Sequence, residues 1–306
     1  MLRTCGSRSG RVYASDGKGD PVMQAGGCVL GMVSLSALLT AASLGVACAI
    51  LSVFVVMRRW AFIGEGISHS GLGGAGMAWV LALLFPAFDQ AWAPYALAAV
   101  CCVVTAVGIG FFSRTGKLNA DAAIGIFLVA TVAWGFLAEG IYMQVRHHQP
   151  YQWESILLGR FGDVSASYAL ASAAVCGLVV FMVGMLGKEI LSYCFDPVSA
   201  EVSGVRAGLV HYLLMVLIAL TVVIGVRVVG SLLVTALLVL PGVTGMMVTL
   251  KLRGVFSVAV MTGLVGTVGG LLIHGTWLFL PPGPVIVLVM LGVFLVAWIM
   301  HRVRGT

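Results

Sequence analysis

The sequence predicts an all-α fold: a polytopic transmembrane helical bundle of eight or nine spans, with one short helix in a cytoplasmic loop. Three observations carry this. Of 306 residues, 60% are hydrophobic and only 9% are charged, whereas a soluble domain carries about a quarter charged residues. The apolar residues form long continuous runs, each near the ~20 residues needed to cross a bilayer, not the short alternating segments of a β-barrel. The Lys and Arg residues gather in the short loops of one side, as the positive-inside bias requires.

Residues 1–27 are polar and rich in Gly, Ser and Arg, and read as a disordered N-terminal tail. They make a poor signal peptide, because no clean small-residue cleavage site follows. Residues 28–306 form the membrane domain. Its apolar runs cover about 28–57, 62–85, 91–112, 121–143, 165–187, 207–225, 228–250, 255–279 and 284–301. Only "GVRVVG" separates the two runs between 207 and 250. They are either two full spans with a tight outer turn or one span plus a broken or re-entrant segment, hence eight or nine.

Basic residues fix the orientation. "RRW" at 58–60, "SRTGK" at 113–117, Lys188 with Arg206, "KLR" at 251–253 and the C-terminal "HRVRGT" share one side, which is cytoplasmic. The opposite loops "PAFDQAWAP" and "LPPGP" carry none, and the 144–163 loop is mixed, with Arg146 and Arg160. A nine-span trace puts the N-terminus outside, against the pull of the basic tail; an eight-span trace puts it inside.

The net charge of +6 sits at span ends, where it meets lipid headgroups. No basic domain with interleaved aromatics exists, which excludes a nucleic-acid partner. The G-x-x-x-x-G-K-[ST] pattern is absent, so this chain has no P-loop with which to hydrolyse ATP. The seven cysteines contain no CxxC pair; Cys48, Cys101, Cys102 and Cys176 lie in apolar runs as small buried hydrophobes. Most of the 40 glycines serve close helix packing, which drives association in lipid.

Ionisable groups within spans are costly, about 2.5–3.5 kcal/mol each on insertion scales, and are functional candidates by default. Glu65 and His69 lead. Their spacing of four puts both on one helix face, and a carboxylate oxygen with an imidazole nitrogen suits first-row divalent metals. Ser68 and Ser70 are available to support the pair. A self-neutralising Glu–His pair between helices, or a proton path, fits the same pattern. Asp121 opens a span at its cytoplasmic end and reads first as helix capping with Asn119. His274 lies in the outer third of a span, where an interhelical hydrogen bond is as good a reading as a ligand. His147 and His148 read as solvated loop residues.

The cytoplasmic segment "SYCFDPVSAEVSGVR", 192–206, is the most polar stretch after the tail. Asp196 is placed to cap a helix with Pro197 in its first turn, Val198 to Val202 form a short helix, and Gly204 ends it. It is either an ordinary loop or a surface offered to a cytosolic partner.

Taken together, these segments resemble the ABC-3 family, the membrane permeases of bacterial ABC importers for zinc, manganese and iron. "VMRRWAFIGEGISHSGLGGAGMA" resembles its second-span signature: Gly64, Ser68 and His69 match, and Glu65 stands where Asp is usual. "DAAIGI" at 121–126 resembles the next motif. "FDPVSAEVSGV" resembles the ATPase-contacting loop, with Asp196, Pro197, Glu201 and Gly204 in matching places, and "RVVGSLLVTALLVLPGVTG" and "PPGPVIVLV" match further segments. The likeness covers about residues 28–300. It implies a multi-pass permease in the bacterial cytoplasmic (inner) membrane, paired with a second copy or a sister permease. A cytosolic ATP-binding subunit would dock on the 196–204 coupling helix, and an extracytoplasmic metal-binding protein would deliver the ion. Glu65 and His69 would line the path, with Asp121 and His274 as lesser polar points along it. No permanent cofactor is implied; the divalent metal is the substrate. Three features depart from the family: Glu at 65, no acidic residue before Asp121, and His274 at a position where relatives often carry other residues. The competing reading is a stand-alone proton- or ion-coupled secondary transporter that uses the Glu–His pair as a proton relay.

Overall fold

The computed structural model describes residues 35–85, 88, 90, 92–116, 118–147, 166–277 and 281–304. Among them are ten helices: α1 (Leu35–Met57), α2 (Ile63–Leu84), α3 (Ala93–Arg114), α4 (Ala120–Arg146), α5 (Ala166–Phe195), α6 (Pro197–Val202), α7 (Ala207–Val229), α8 (Ser231–Val248), α9 (Leu252–Thr276) and α10 (Pro282–Arg304). No strand occurs among the described residues. All but the short α6 are long and apolar enough to cross a membrane, nine in number. The tail 1–27, His148 and Arg160 lie outside the described residues.

The nine-span reading therefore holds for the helices described. The runs on either side of "GVRVVG" are two separate helices, joined through Gly230 alone, whose φ of 89° an L side chain rarely adopts. The second of them, α8, is the shortest of the nine at 18 residues. Its length of about 27 Å is just under the thickness of the hydrocarbon core. Nine crossings would put the start of α1 and the end of α10 on opposite sides of the membrane.

One boundary differs from expectation. The apolar run ends near residue 187, yet α5 continues to Phe195. Lys188 and Glu189 end the hydrophobic stretch but are good helix formers, and Ile190, Tyr193 and Cys194 beyond them are buried again. At 30 residues, α5 is about 45 Å long and outruns the bilayer. Leu186, with φ −108° and ψ 16°, is not helical, so α5 consists of two helical segments meeting at a kink.

The centre of the bundle is α1, α2 and α7, and its most exposed helices are α4, α5 and α10. Helix α2 packs on α3 and α4 and also touches α7 and α8; α1 packs on α5, α8 and α9. Leu51, Phe54, Ile63, Ile67, Leu214 and Met215 are fully buried between them. Gly74 sets the α2–α3 approach. A Cβ there would fall 2.5 Å from the Leu97 carbonyl oxygen and 2.6 Å from the Ala98 Cα, so only glycine lets these backbones meet. The outer helices present Phe136, Leu137, Phe181, Met185 and Ile299 outward, as a lipid-facing surface does. Cys48, Cys101, Cys102, Cys176 and Cys194 are free thiols.

Candidate functional site

Glu65 lies in the first turn of α2, and His69 lies one turn further on. The two side chains meet, with Nε2 of His69 2.7 Å from Oε1 of Glu65. The other carboxylate oxygen accepts a hydrogen bond of 2.9 Å from the Thr235 hydroxyl on α8. The Ser231 carbonyl one turn back, at 3.2 Å, is a second and longer acceptor for the same Thr235 proton. A Cβ at Gly64 would stand 3.0 Å from Leu238 and 3.4 Å from the Thr235 Cα; the glycine brings α8 close enough for this contact. The pair is neither surface nor core, with Glu65 26% and His69 23% exposed.

Ser68 and Ser70 do not support the pair. Both are buried and donate to their own helix, Ser68 to the Glu65 carbonyl and Ser70 to the Ile67 carbonyl. Their hydroxyls are short enough to prefer the nearby backbone of the preceding turn. Asp121 is exposed in the first turn of α4, where Asn119 occupies the N-cap without a side-chain capping bond. His274 is in the last turn of α9. Among the described residues, no group of three or more His, Cys, Asp or Glu side chains is assembled. Asp121 and His274 therefore do not share one metal-ligating cluster with Glu65 and His69.

The 192–206 segment folds as its sequence dictates. Asp196 caps α6, accepting from the Val198 N–H at 3.0 Å and from the Ser199 hydroxyl. Those bonds, the hydroxyl first, hold its carboxyl below the ordinary value of 3.8. Gly204 has φ 85°, and the Val205 N–H returns to the Ala200 carbonyl at 3.0 Å, closing the helix in a left-handed turn. Ala200 is fully buried as the foot of α6, while Phe195, Val198 and Val202 stand 67%, 71% and 86% exposed. Glu201 reaches toward Arg114 of α3 at 3.7 Å.

Sequence reasoning missed Thr235 and a second cluster. Threonine in an apolar span carries no signal unless its neighbour is known. The cluster lies at the α6 end of the bundle: His211 of α7 is 3% exposed, bonded to the Tyr193 hydroxyl at 2.6 Å and to the Gly110 carbonyl at 2.9 Å. The histidine at a span's cytoplasmic start was the available clue.

The whole bundle corresponds to one family: the model of the ABC 3 transport family matches residues 32–301. The chain belongs to the ABC 3 transport family. It is 30% identical over 270 residues to the manganese transport system membrane protein MntC of Listeria innocua, covering 88% of this chain and 91% of the relative. It is 30% identical over 269 residues to the chelated iron transport system membrane protein YfeD of Yersinia pestis, covering 88% and 85%. It is 29% identical over 262 residues to the zinc transport system membrane protein TroC of Treponema pallidum, covering 86% and 87%. Among solved structures it superposes on PsaBC from Streptococcus pneumoniae, in complex with Fab, with a TM-score of 0.69 and 25% identity over 86% of this chain and 90% of that one. This chain is thus the multi-span membrane permease of a transport system.

Proposed function

We propose that this ABC-3 permease forms the pore of an ATP-driven importer for a divalent transition metal ion, zinc, manganese or iron, in the bacterial cytoplasmic membrane. The observation that carries this is the Glu65–His69–Thr235 constellation: one carboxylate and one imidazole on a single helix face, fixed from a neighbouring helix and left about three-quarters covered. The relatives named for manganese, iron and zinc transport support the choice of cargo.

The chemistry suits passage. An oxygen and a nitrogen donor bind first-row divalent ions. A closed cage of four protein ligands would hold the ion, whereas a two-ligand face completed by water, or by a second permease copy, releases it. When an ion arrives it competes with the His69 Nε2 contact for Glu65 Oε1, while Thr235 keeps the other oxygen aimed. Asp121 and His274 serve as polar points elsewhere on the path. At the cytoplasmic face, a separate ATP-binding subunit docks on α6, where Val198 and Val202 offer apolar contact and Asp196, Pro197, Glu201 and Gly204 shape the helix. An extracytoplasmic metal-binding protein delivers the ion to the other side.

The test uses the complex purified through this chain from its own host and reconstituted in vesicles, offered labelled manganese, zinc or ferrous iron. Uptake is expected to require ATP and to stop in a Glu65→Ala, His69→Ala variant whose assembly is intact. Uptake at the wild-type rate by that variant overturns the pore role. Uptake by the chain alone under a proton gradient, without ATP, overturns the importer in favour of a secondary transporter.

A further inference from the structure

The buried cluster around His211 joins four elements that a coupling mechanism must connect. Tyr193 is in the last turn of α5, three residues before the Asp196 cap, and the Asp196 N–H donates to the Ser192 carbonyl beside it at 3.1 Å. Any displacement of α6 is therefore felt at Tyr193. Its hydroxyl meets Nδ1 of His211 on α7 at 2.6 Å. Nε2 of His211 faces a carbonyl, that of Gly110 on α3, at 2.9 Å. A carbonyl only accepts, so Nε2 carries the proton, and in the neutral ring Nδ1 accepts from the tyrosine. Both side chains are nearly fully buried, where a satisfied network is rigid and a broken one costly.

On its far side, His211 touches the turn that starts α2. The Trp60 ring stands edge-on to it, with centroids 5.4 Å apart. Trp60 is 3% exposed and is bolted into the turn: its N–H reaches the Val55 carbonyl and its carbonyl takes the Ile63 N–H. Ile63 opens the helix whose first turn holds Glu65. The Arg58 guanidinium lies 4.6 Å from the Tyr193 ring centroid and 5.5 Å from that of Trp60, within range to hold both rings by cation–π attraction. Its Nε is buried without a hydrogen-bond partner, while its guanidinium also bonds the Tyr193 side chain, so this arginine braces the tyrosine through both ring and hydroxyl. Finally, α5 breaks at Leu186, so its last segment, with Tyr193 and α6, is a helical piece set apart from the rest of α5.

From this geometry we infer that the Tyr193–His211 hydrogen bond, braced by Arg58 and Trp60, is the linkage through which movement of α6 repositions the first turn of α2 and its Glu65–His69 pair. Tyr193 and His211 are positioning residues and touch no cargo. The inference rests on the reading above that an ATP-binding subunit docks on α6.

The experiment separates the two. Phe62 is exposed beside the first turn of α2, so a Phe62→Cys substitution reports that turn through its labelling by a thiol reagent, over the background of the native cysteines. In the reconstituted complex, ATP is expected to change the labelling rate. Tyr193→Phe keeps the ring for Arg58 and is expected to abolish that change while ATP hydrolysis persists, with at least tenfold more ATP consumed per metal ion carried. His211→Asn places an amide oxygen near Nδ1 and is expected to keep most of the response; His211→Gln, which serves only Gly110, is expected to lose it. The Tyr193→Phe/His211→Gln double variant should be no worse than the worse single one, because both break one bond. A labelling change that survives Tyr193→Phe, or that ATP never produces in the parent, overturns the linkage. If Tyr193→Phe fails to assemble, the contrast between His211→Asn and His211→Gln decides alone: equal responses overturn it. A labelling response to ATP in a complex that carries no metal overturns the proposed cargo and leaves the linkage standing.

Discussion

The two polar regions of this bundle are built in opposite ways. Around Glu65 and His69, among the described residues, the polar side chains are few, partly open and fixed from one neighbouring helix. Around His211 they are buried and tied to α3, α5 and the α1–α2 turn at once. If the first binds and releases an ion as proposed, its sparseness leaves the ligands spare coordination. If the second transmits force as inferred, its burial and the paired Tyr193 and His211 atoms keep it from yielding. The same residue type, histidine, serves both regions, and its surroundings decide which.

The strongest way to break this contrast is to remove the frame that both regions share. At Gly74 a side chain would strike the α3 backbone itself, at Leu97 and Ala98, and backbone has no rotamer to escape into. Gly74→Val is expected to destabilise the protein by about 3 kcal/mol or more and to abolish uptake, seen as a lowered unfolding midpoint in detergent. Gly140, where a Cβ meets nothing within 4 Å, provides the control: Gly140→Ala should leave the midpoint unchanged.

A subtler probe acts on the sparse site alone. Thr235→Val keeps the shape and removes the hydroxyl that aims Glu65. Loss of one hydrogen bond to a charged group corresponds to about 1.5–3 kcal/mol, so transport should fall by roughly 10- to 100-fold, with the unfolding midpoint lowered less than in Gly74→Val. Thr235→Ser, which restores the donor, should recover most of the rate. An equal loss in Thr235→Ser would show that the methyl group, and not the hydrogen bond, matters.

What the sequence disclosed follows the same divide. Hydropathy alone found the spans, because each helix must satisfy its own backbone in lipid. Capping chemistry found α6, since Asp196, Pro197 and Gly204 act within a few residues of one another. The i,i+4 spacing found Glu65 and His69. Thr235 is 170 residues from Glu65, and Gly110 is 101 from His211. No local pattern reports such partners, so Thr235 and the His211 cluster became visible only once the helices were packed. The polar end of α5 was missed for a related reason: hydropathy detects where the membrane ends, not where the helix does.

Smaller effects are expected at the exposed face. The Asp196 carboxyl is held below its ordinary value by the Ser199 hydroxyl and the Val198 N–H. Because its folded-state pKa is depressed, the stabilisation it gives α6 is complete above the unfolded value near 3.8 and is lost as pH falls through the lower folded value. Docking of the ATP-binding subunit should therefore be insensitive to Asp196 titration from neutral pH down to about 4. Asp196→Asn, which keeps an acceptor, should bind nearly normally, and Asp196→Ala should bind more weakly by less than about tenfold. A titration of docking between pH 5 and 7 that disappears in Asp196→Asn would contradict this assignment.

The smallest effect is expected where a diagram would draw the most obvious link. Arg114 and Glu201 join α3 directly to α6, but at 3.7 Å and with both side chains about half exposed. An ion pair in that setting contributes little, at most a few tenths of a kcal/mol after solvent screening, because water and salt replace either partner readily. Arg114→Gln is therefore expected to change the ATP consumed per ion carried by less than about twofold, and less still at high salt. Tyr193→Phe, which removes a single buried hydroxyl, is expected to change it far more. Burial makes the difference, since the tyrosine's partner has no water to turn to. If the two variants uncouple transport equally, burial is not what separates a transmitting contact from a decorative one, and the contrast between the two regions fails.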